Sequence, residues 1–285
     1  MTNRISGTTS LIGLLGNPVK HSKSPLIQNT ALEALGLNHV YMAFEVEDGK
    51  LKESLEALKV LGAVGGNITM PFKTKIIEYL DDISSEARII GSINTIKIHE
   101  NGRITGYNTD GIGFVKSLEE NKVEFKGKKI VIAGAGGAAK AIATQLAFDG
   151  VGEVVIFNRT LEKAKKIIDV INKSVSSCKA TAKVMDETDL VEEIKDAAVL
   201  VNCTSIGMKA TIGQAIISSS AQLPKDVFVA DIIYDPEQTK LLKIAEEAGC
   251  RYMNGLMMLI WQGAIAFNVW TDKDMPVDLI KSKCF

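Results

Sequence analysis

The chain has 285 residues, 46% of them hydrophobic and 24% charged, and its formal net charge is −1. Such a length supports two domains of ordinary size, each with its own core, and the near-neutral balance argues against nucleic acid or an anionic membrane surface as a partner. No run approaches the roughly 18 apolar residues of a spanning helix, and the opening residues lack the basic lead and cleavage site of a secretory leader, so a cytoplasmic location is expected.

The first 110 residues alternate strand and helix patterns. SLIGLLG (10–16) reads as a buried strand, and SPLIQNTALEALG (24–36) as a helix with Ser24 as its cap, Pro25 in the first turn and Gly36 past its end. VYMAFEV (40–46) is a second strand, LKESLEALKVLG (51–62) has helical spacing, GGNIT (65–69) is a short strand, and PFKTKIIEYL after it is again helical. NTIKIHENGRITGYNTD (94–110) predicts two strands around the Asn101-Gly102 turn, a strong hairpin signal.

The character changes near residue 126. IVIAG (130–134) is apolar on both faces, as a central parallel strand should be. A Gly-rich turn and a helix (136–149) follow, then VVIFN, the helix LEKAKKIIDVI, a strand near 180–185, AVLVNC and VFVADIIY. Strands alternating with long helices predict parallel βαβ units. LMMLIWQGAIAFNVW (256–270) is apolar on most sides, so it should be a buried helix that returns to the first domain. The expected fold class is α/β: an N-terminal α/β substrate domain (1–120, completed by helices within 256–285), a C-terminal Rossmann dinucleotide-binding domain (121–255), and a cleft between them.

The decisive local motif is Gly134-Ala135-Gly136-Gly137-Ala138-Ala139, which fits G-x-G-x-x-A between an apolar strand and a helix. Gly134 permits the tight turn, Gly136 leaves room for a pyrophosphate, and Ala139 lets the helix pack close to the sheet. The helix start then offers N–H groups and a positive dipole end to phosphates. NAD binders commonly carry an acid at the end of the next strand; here the residues are Asn158-Arg159-Thr160, with Lys163 nearby. An arginine pairs with a 2′-phosphate that an acid would repel. NADP is therefore the expected cofactor, with NAD kept as the alternative.

Reducing a carbonyl by hydride requires a proton donor or electrostatic support for the developing alkoxide. The candidates are Lys73, in Asn67-Ile68-Thr69-Met70-Pro71-Phe72-Lys73, and Asp110, in Tyr107-Asn108-Thr109-Asp110-Gly111, each where a predicted strand ends. The four cysteines, Cys178, Cys203, Cys250 and Cys284, and the three histidines, His21, His39 and His99, are dispersed, so neither disulfides nor a metal site is expected.

These segments carry a resemblance. His21-Ser22-Lys23-Ser24-Pro25, Asn67 to Lys73, Gly91-Ser92-Ile93-Asn94-Thr95, Tyr107 to Gly111, the Gly-rich turn, Asn158-Arg159-Thr160, Cys203-Thr204-Ser205-Ile206-Gly207-Met208 and Trp261-Gln262-Gly263-Ala264 resemble, in order and spacing, the shikimate and quinate/shikimate dehydrogenase family. The resemblance implies that Lys73 and Asp110 form the catalytic pair, Lys73 exchanging the proton and Asp110 holding it and a substrate hydroxyl. It implies substrate contacts from Ser22, Ser24, Thr69, Asn94, Asp110 and Gln262, with Tyr41 and Asn67 as further candidates; Ser22 and Ser24 would hold a carboxylate. For the cofactor it implies Thr204, Met208, Lys209, Ile232, Tyr234 and Gly255 on the nicotinamide side. The substrate would be shikimate or 3-dehydroshikimate. Tyr41 to Val46, Gly207-Met208-Lys209 and residues 258–276 resemble the quinate-accepting branch, whereas the lack of an acid just after Arg159 favours the other. Two further readings are a nucleotide-sensing module without catalysis, which would not need Lys73 and Asp110, and a folate-linked dehydrogenase, which the Ser22/Ser24 segment fits poorly. Monomer and homodimer both remain open.

Overall fold

The computed structural model describes residues 5–285. It divides into two compact units: residues up to Thr109 with Ile260–Phe285, and Asp110–Leu259.

The first unit is built on a mixed six-stranded sheet. Its strands are β1 (Ser10–Gly16), β2 (His39–Glu45), β3 (Gly65–Ile68), β4 (Asp82–Ile83), β5 (Thr95–Ile98) and β6 (Ile104–Tyr107), in the order β2-β1-β3-β5-β6-β4. β1 runs parallel to β2 and β3; β5 pairs antiparallel with β3 and with β6, Thr95 opposite Tyr107. The last pair is the predicted hairpin, closed by Gly102 N–H donating to the His99 carbonyl. Helices α1 (Ser24–Ala34), α2 (Leu51–Val60) and α3 (Ser85–Ile90) connect the strands. Leu51, Leu55 and Leu58 put the apolar stripe of α2 into a core with Leu15, Ile68, Phe72 and Ile96, each fully buried side chain contributing about 1.5–3 kcal/mol.

Two local expectations need correction. Ser24 is the first residue of α1, not its cap; Lys23 occupies the cap position and gives no side-chain bond. The segment predicted helical from 71 to 80 forms only a 3-10 turn, Lys75–Tyr79. Phe72 plugs the core just before it, and its carbonyl accepts one helical bond from Ile76 N–H (3.0 Å) before the chain tightens into the 3-10 turn. The short β4 and α3 carry too few residues for a periodic signal.

The second unit opens with α4 (Asp110–Glu120). Its sheet contains β7 (Lys129–Ala133), β8 (Glu153–Asn158), β9 (Lys179–Val184), β10 (Val199–Asn202), β11 (Phe228–Asp231) and β12 (Tyr252–Met253). The order β12-β11-β10-β7-β8-β9 is parallel throughout, the doubly wound arrangement with its switch point between β7 and β10. Helices α5 (Gly137–Phe148), α6 (Leu161–Ser174), α7 (Glu187–Ile194) and α8 (Lys240–Glu247) cover it. Ile130 and Ile132 face one core with Ile142, Leu146 and Ile156, while Val131 and Ala133 face another with Phe157, Leu200 and Leu242. Burial on both faces is why these strands are apolar without alternation. The sequence places the boundary near residue 121; the structure puts α4 with the second unit, because Phe114, Val115 and Leu118 join the core of Ile130 and Ile142.

Helix α9 (Leu256–Thr271) starts in the second unit and continues into the first. There Gln28 Nε2 donates to the Gly263 carbonyl (3.0 Å) and Trp270 Nε1 to the Ile96 carbonyl (2.9 Å). Helix α10 (Val277–Cys284) packs on α1.

Candidate active site

In the first unit, residues far apart in sequence meet in one buried polar network that joins α1, β2, β3 and the start of β5 to Thr109. Asn29 of α1 clamps β2: Tyr41 N–H donates to its Oδ1 (2.9 Å) and its Nδ2 donates to the Tyr41 carbonyl (2.8 Å). Tyr41 OH donates to Asn67 Oδ1 (2.7 Å), and the Ser24 hydroxyl also bonds the phenol. Asn67 Nδ2 donates to the Asn94 carbonyl (2.9 Å) and to Thr95 Oγ1 (3.0 Å). Asn94 Oδ1 accepts from Thr109 N–H (2.9 Å) and from the Thr95 hydroxyl (3.1 Å), and its Nδ2 donates to Thr109 Oγ1 (2.9 Å). Thr109 immediately precedes Asp110. Burial pushes the Tyr41 phenol far above its ordinary range, the Ser24 bond acting against this, so Tyr41 serves as a neutral donor.

This chain of bonds engages two of the expected substrate contacts inside the protein. Tyr41 is 1% exposed, and Asn67 uses its carbonyl and both amide hydrogens inside the protein. Through them the network reaches the Asn94 carbonyl. Ser22 and Ser24 lie at the start of α1, both half-buried, joined by the Ser24 N–H donating to Ser22 Oγ (3.2 Å). Thr69 and Lys73 are half-buried on the loop after β3. Thr69 N–H donates to the Leu15 carbonyl and the Lys73 carbonyl accepts from Ile93 N–H (2.7 Å), which ties Lys73 to the residue before Asn94. Gln262 is half-buried on α9, one residue before the carbonyl that holds Gln28. Asp110 is 8% exposed at the first turn of α4. The sequence reading missed Asn29, Thr95 and Thr109, which are ordinary helix, strand and loop residues until the strands are paired.

In the second unit the Gly-rich turn sits at the carboxyl end of β7. Gly134 has φ +108, and a Cβ there would lie 2.8 Å from the Cys203 carbonyl oxygen; both torsion and space demand glycine. Beyond Ala135, Gly136 and Gly137 are exposed and face open space. Among the described residues no side chain caps the start of α5. This leaves first-turn N–H groups and an open cradle for phosphate, while Ala138 is half-buried and Ala139 fully buried against the sheet. At the end of β8, Asn158 Nδ2 donates to the Thr160 carbonyl (2.8 Å) and so closes the turn. Arg159, Thr160 and Lys163 are exposed.

The loops after β10 and β11 share a second buried network. Asn202 Oδ1 accepts from both Thr204 N–H (3.1 Å) and the Thr204 hydroxyl (2.7 Å), and its Nδ2 donates to the Ile206 carbonyl (3.1 Å) and to Asp231 Oδ1 (3.1 Å). Asp231 Oδ1 also accepts from Ile233 N–H (3.1 Å), and Oδ2 from the Thr239 hydroxyl (2.8 Å). Met208 is half-buried and Lys209 exposed beyond it; Ile232 is half-buried and Tyr234 exposed on the neighbouring loop. Gly255 donates its N–H to the Ile233 carbonyl, and a Cβ on it would fall 2.0 Å from the Ile232 carbonyl oxygen. The close approach of backbone to backbone leaves no space for a side chain there. Asn202, Asp231 and Thr239 carried no sequence signal, since a strand-terminal Asn or Asp reads as a turn former.

A doubly wound parallel sheet that opens on such a turn is a dinucleotide-binding domain, and its union in one chain with a polar, strand-end wall defines a two-domain nicotinamide-dependent dehydrogenase. Comparison with known proteins makes this specific. Residues 14–96 match the shikimate dehydrogenase substrate binding domain, 117–234 match shikimate / quinate 5-dehydrogenase, and 255–283 match the shikimate 5′-dehydrogenase C-terminal domain. A shikimate dehydrogenase (NADP(+)) of Alkaliphilus metalliredigens is 50% identical over 99% of this chain and 98% of its own length. The crystal structure of Listeria monocytogenes shikimate 5-dehydrogenase in complex with shikimate and NAD superposes with a TM-score of 0.97 at 44% identity, covering 100% of this chain and 99% of that one. A quinate dehydrogenase from Corynebacterium glutamicum in complex with NAD gives 0.89 at 32% identity, covering 96% and 98%. The chain belongs to the shikimate dehydrogenase family.

Proposed function

We propose that this chain is an NADP(H)-dependent shikimate dehydrogenase that reversibly reduces 3-dehydroshikimate to shikimate, on the route to chorismate and the aromatic amino acids. The observation that carries the proposal is the polar network running from Ser24 to Thr109, which fixes Asn94 and the backbone at Thr109 next to Asp110. Such a wall of hydroxyls and amides sorts ring hydroxyls by donor and acceptor geometry, while Ser22 and Ser24 at a helix start suit a carboxylate. Bound on the Gly-rich turn, NADPH would supply the hydride and leave as NADP⁺. Lys73 gives a proton from its ammonium to the ketone oxygen as the C=O π bond opens and the new C–H bond forms; in the oxidative direction the neutral amine takes it back. Asp110 accepts a hydrogen bond from a substrate hydroxyl. The Gly-rich turn fits the pyrophosphate, and Arg159, with no acid beside it, fits a 2′-phosphate.

A second reading, quinate as well as shikimate with NAD as well as NADP, is favoured by the NAD bound in the 44% identical Listeria structure. Initial rates with shikimate and quinate, each with NADP⁺ and NAD⁺, decide between them. Shikimate with NADP⁺ should give the highest kcat/KM. Comparable rates with quinate and NAD⁺ would select the second reading, and no reduction in any of the four mixtures would sink the enzymatic one.

A further inference from the structure

We propose that Asp231, acting through Asn202 and Thr239, is a positioning residue for the nicotinamide half of the cofactor. The inference rests on the cofactor reading above and adds three buried residues behind those expected at the nicotinamide. Asp231 is 1% exposed, as are Asn202 and Thr239. A carboxylate so deeply buried is costly unless its lone pairs are filled, and three donors fill them: Asn202 Nδ2, Ile233 N–H and the Thr239 hydroxyl. Convergence of donors alone on both oxygens identifies the charged form as the one the site is built for, although burial raises its pKa.

The bonds leave in three directions. Through Asn202, which stands opposite Asp231 in the β10–β11 register, the carboxylate reaches Thr204 N–H, the Thr204 hydroxyl and the Ile206 carbonyl. Through Ile233 N–H it holds the second loop, whose Ile233 carbonyl in turn receives Gly255 N–H. Through Thr239 it anchors the start of α8, where the same hydroxyl accepts from Leu242 N–H (3.4 Å). The residues expected at the nicotinamide, Thr204, Met208, Ile232 and Tyr234, therefore lie on two loops with one common fastening. The Gly-rich turn and Arg159 make none of these bonds.

The test separates the two halves of the cofactor. Binding of NADP⁺ and of adenosine 2′,5′-bisphosphate, which lacks the nicotinamide riboside, is measured by calorimetry on the full-length wild type, Asp231→Ala, Asp231→Asn, Thr239→Val and Thr239→Ser. Asp231→Ala strands three donors and should weaken NADP⁺ roughly tenfold or more, with the bisphosphate unchanged. Asp231→Asn keeps an acceptor for Asn202 and Ile233 and lets the Thr239 hydroxyl turn to accept, so it should restore most of the affinity. Thr239→Val should weaken NADP⁺ severalfold and Thr239→Ser should not; this pair carries the test if Asp231→Ala does not fold. Equal weakening of both ligands, or no change in either, overturns the proposal. If the wild type binds neither ligand, the cofactor reading itself falls.

Discussion

Asn94 is the point at which the substrate-side network can be broken most informatively. Its side chain is 3% exposed, and its bonds include three with distances near 3 Å: two accepted from Thr109 N–H and the Thr95 hydroxyl, one donated to Thr109 Oγ1. Asn94→Ala removes all three. The Thr109 N–H, in a residue 1% exposed, is left without its acceptor, at about 1–3 kcal/mol, and the lost reciprocal bond adds about 1 kcal/mol. The Thr95 hydroxyl can rotate and contributes less. The expected loss is about 2–4 kcal/mol, read from urea unfolding as a lower midpoint at unchanged slope. Because Thr109 adjoins Asp110, kcat/KM for shikimate should fall by at least tenfold. Asn94→Asp sharpens the test. Its carboxylate keeps both acceptor bonds, and the Thr109 hydroxyl can turn to donate, so the remaining cost is a buried charge. Burial raises the folded-state pKa of such an acid above an unfolded value of about 3.9; the penalty is present at high pH and relieved as pH falls through the folded value. Asn94→Asp should therefore be less stable than wild type at pH 8 and recover toward pH 5. A loss below about 1 kcal/mol in Asn94→Ala, with unchanged kcat/KM, would refute the reasoning.

Lys73→Met should retain shikimate binding by calorimetry while kcat drops by about 10²–10⁴; near-normal turnover excludes its proton-transfer role. Arg159→Ala should weaken NADP⁺ by roughly 10- to 100-fold, the value of a charge-assisted phosphate bond, and leave NAD⁺ unaffected, so equal weakening of the two would remove Arg159 from the 2′-phosphate site. Glu193 lies between Lys129 (2.6 Å) and Lys183 (2.5 Å), and these bonds, Lys129 first, hold its carboxyl below the ordinary glutamate value of 4.5. A depressed acid adds stability above its unfolded pKa and loses it as pH falls through the folded one. Glu193→Gln should then cost about 1 kcal/mol at pH 7, after allowing for solvent screening, and the gap from wild type should close as pH approaches 3.

Much of the fold was legible because both units rely on burial patterns that leave local traces. Strands β1, β7, β8, β10 and β11 are buried on both faces and read as uninterrupted apolar runs. The Asn101-Gly102 turn announced the β5–β6 hairpin. The failures have physical causes of equal clarity. Residues 110–120 fall on the first-domain side of the expected boundary, yet the partner of α4 is chosen by Phe114, Val115 and Leu118, and an amphipathic stripe does not name the surface it will cover. The 71–80 segment has helical spacing in Ile76, Ile77 and Leu80, but after one helical bond, Ile76 N–H to the Phe72 carbonyl, it continues only as a 3-10 turn.

For the sites, the division follows a different line. The candidates that stand out in the sequence, the Gly-rich turn, Arg159, Lys73 and Asp110, do so because ordinary packing would not favour their identities where they fall. Residues that hold those groups in place were not legible, because Thr95, Thr109, Asn202 and Thr239 acquire meaning only when a second strand or loop is brought beside them. Tyr41 and Asn67 show the same dependence on pairing: they are polar and strand-borne, and the bonds that tie them to Asn94 appear only once β2, β3 and β5 lie side by side. A polar residue whose donors and acceptors are already satisfied by its own chain has little left to offer a substrate, yet its removal moves the residues that do. Mutations at Asn67 and Asp231 should therefore alter binding without abolishing the chemistry, whereas a change at Lys73 should do the reverse.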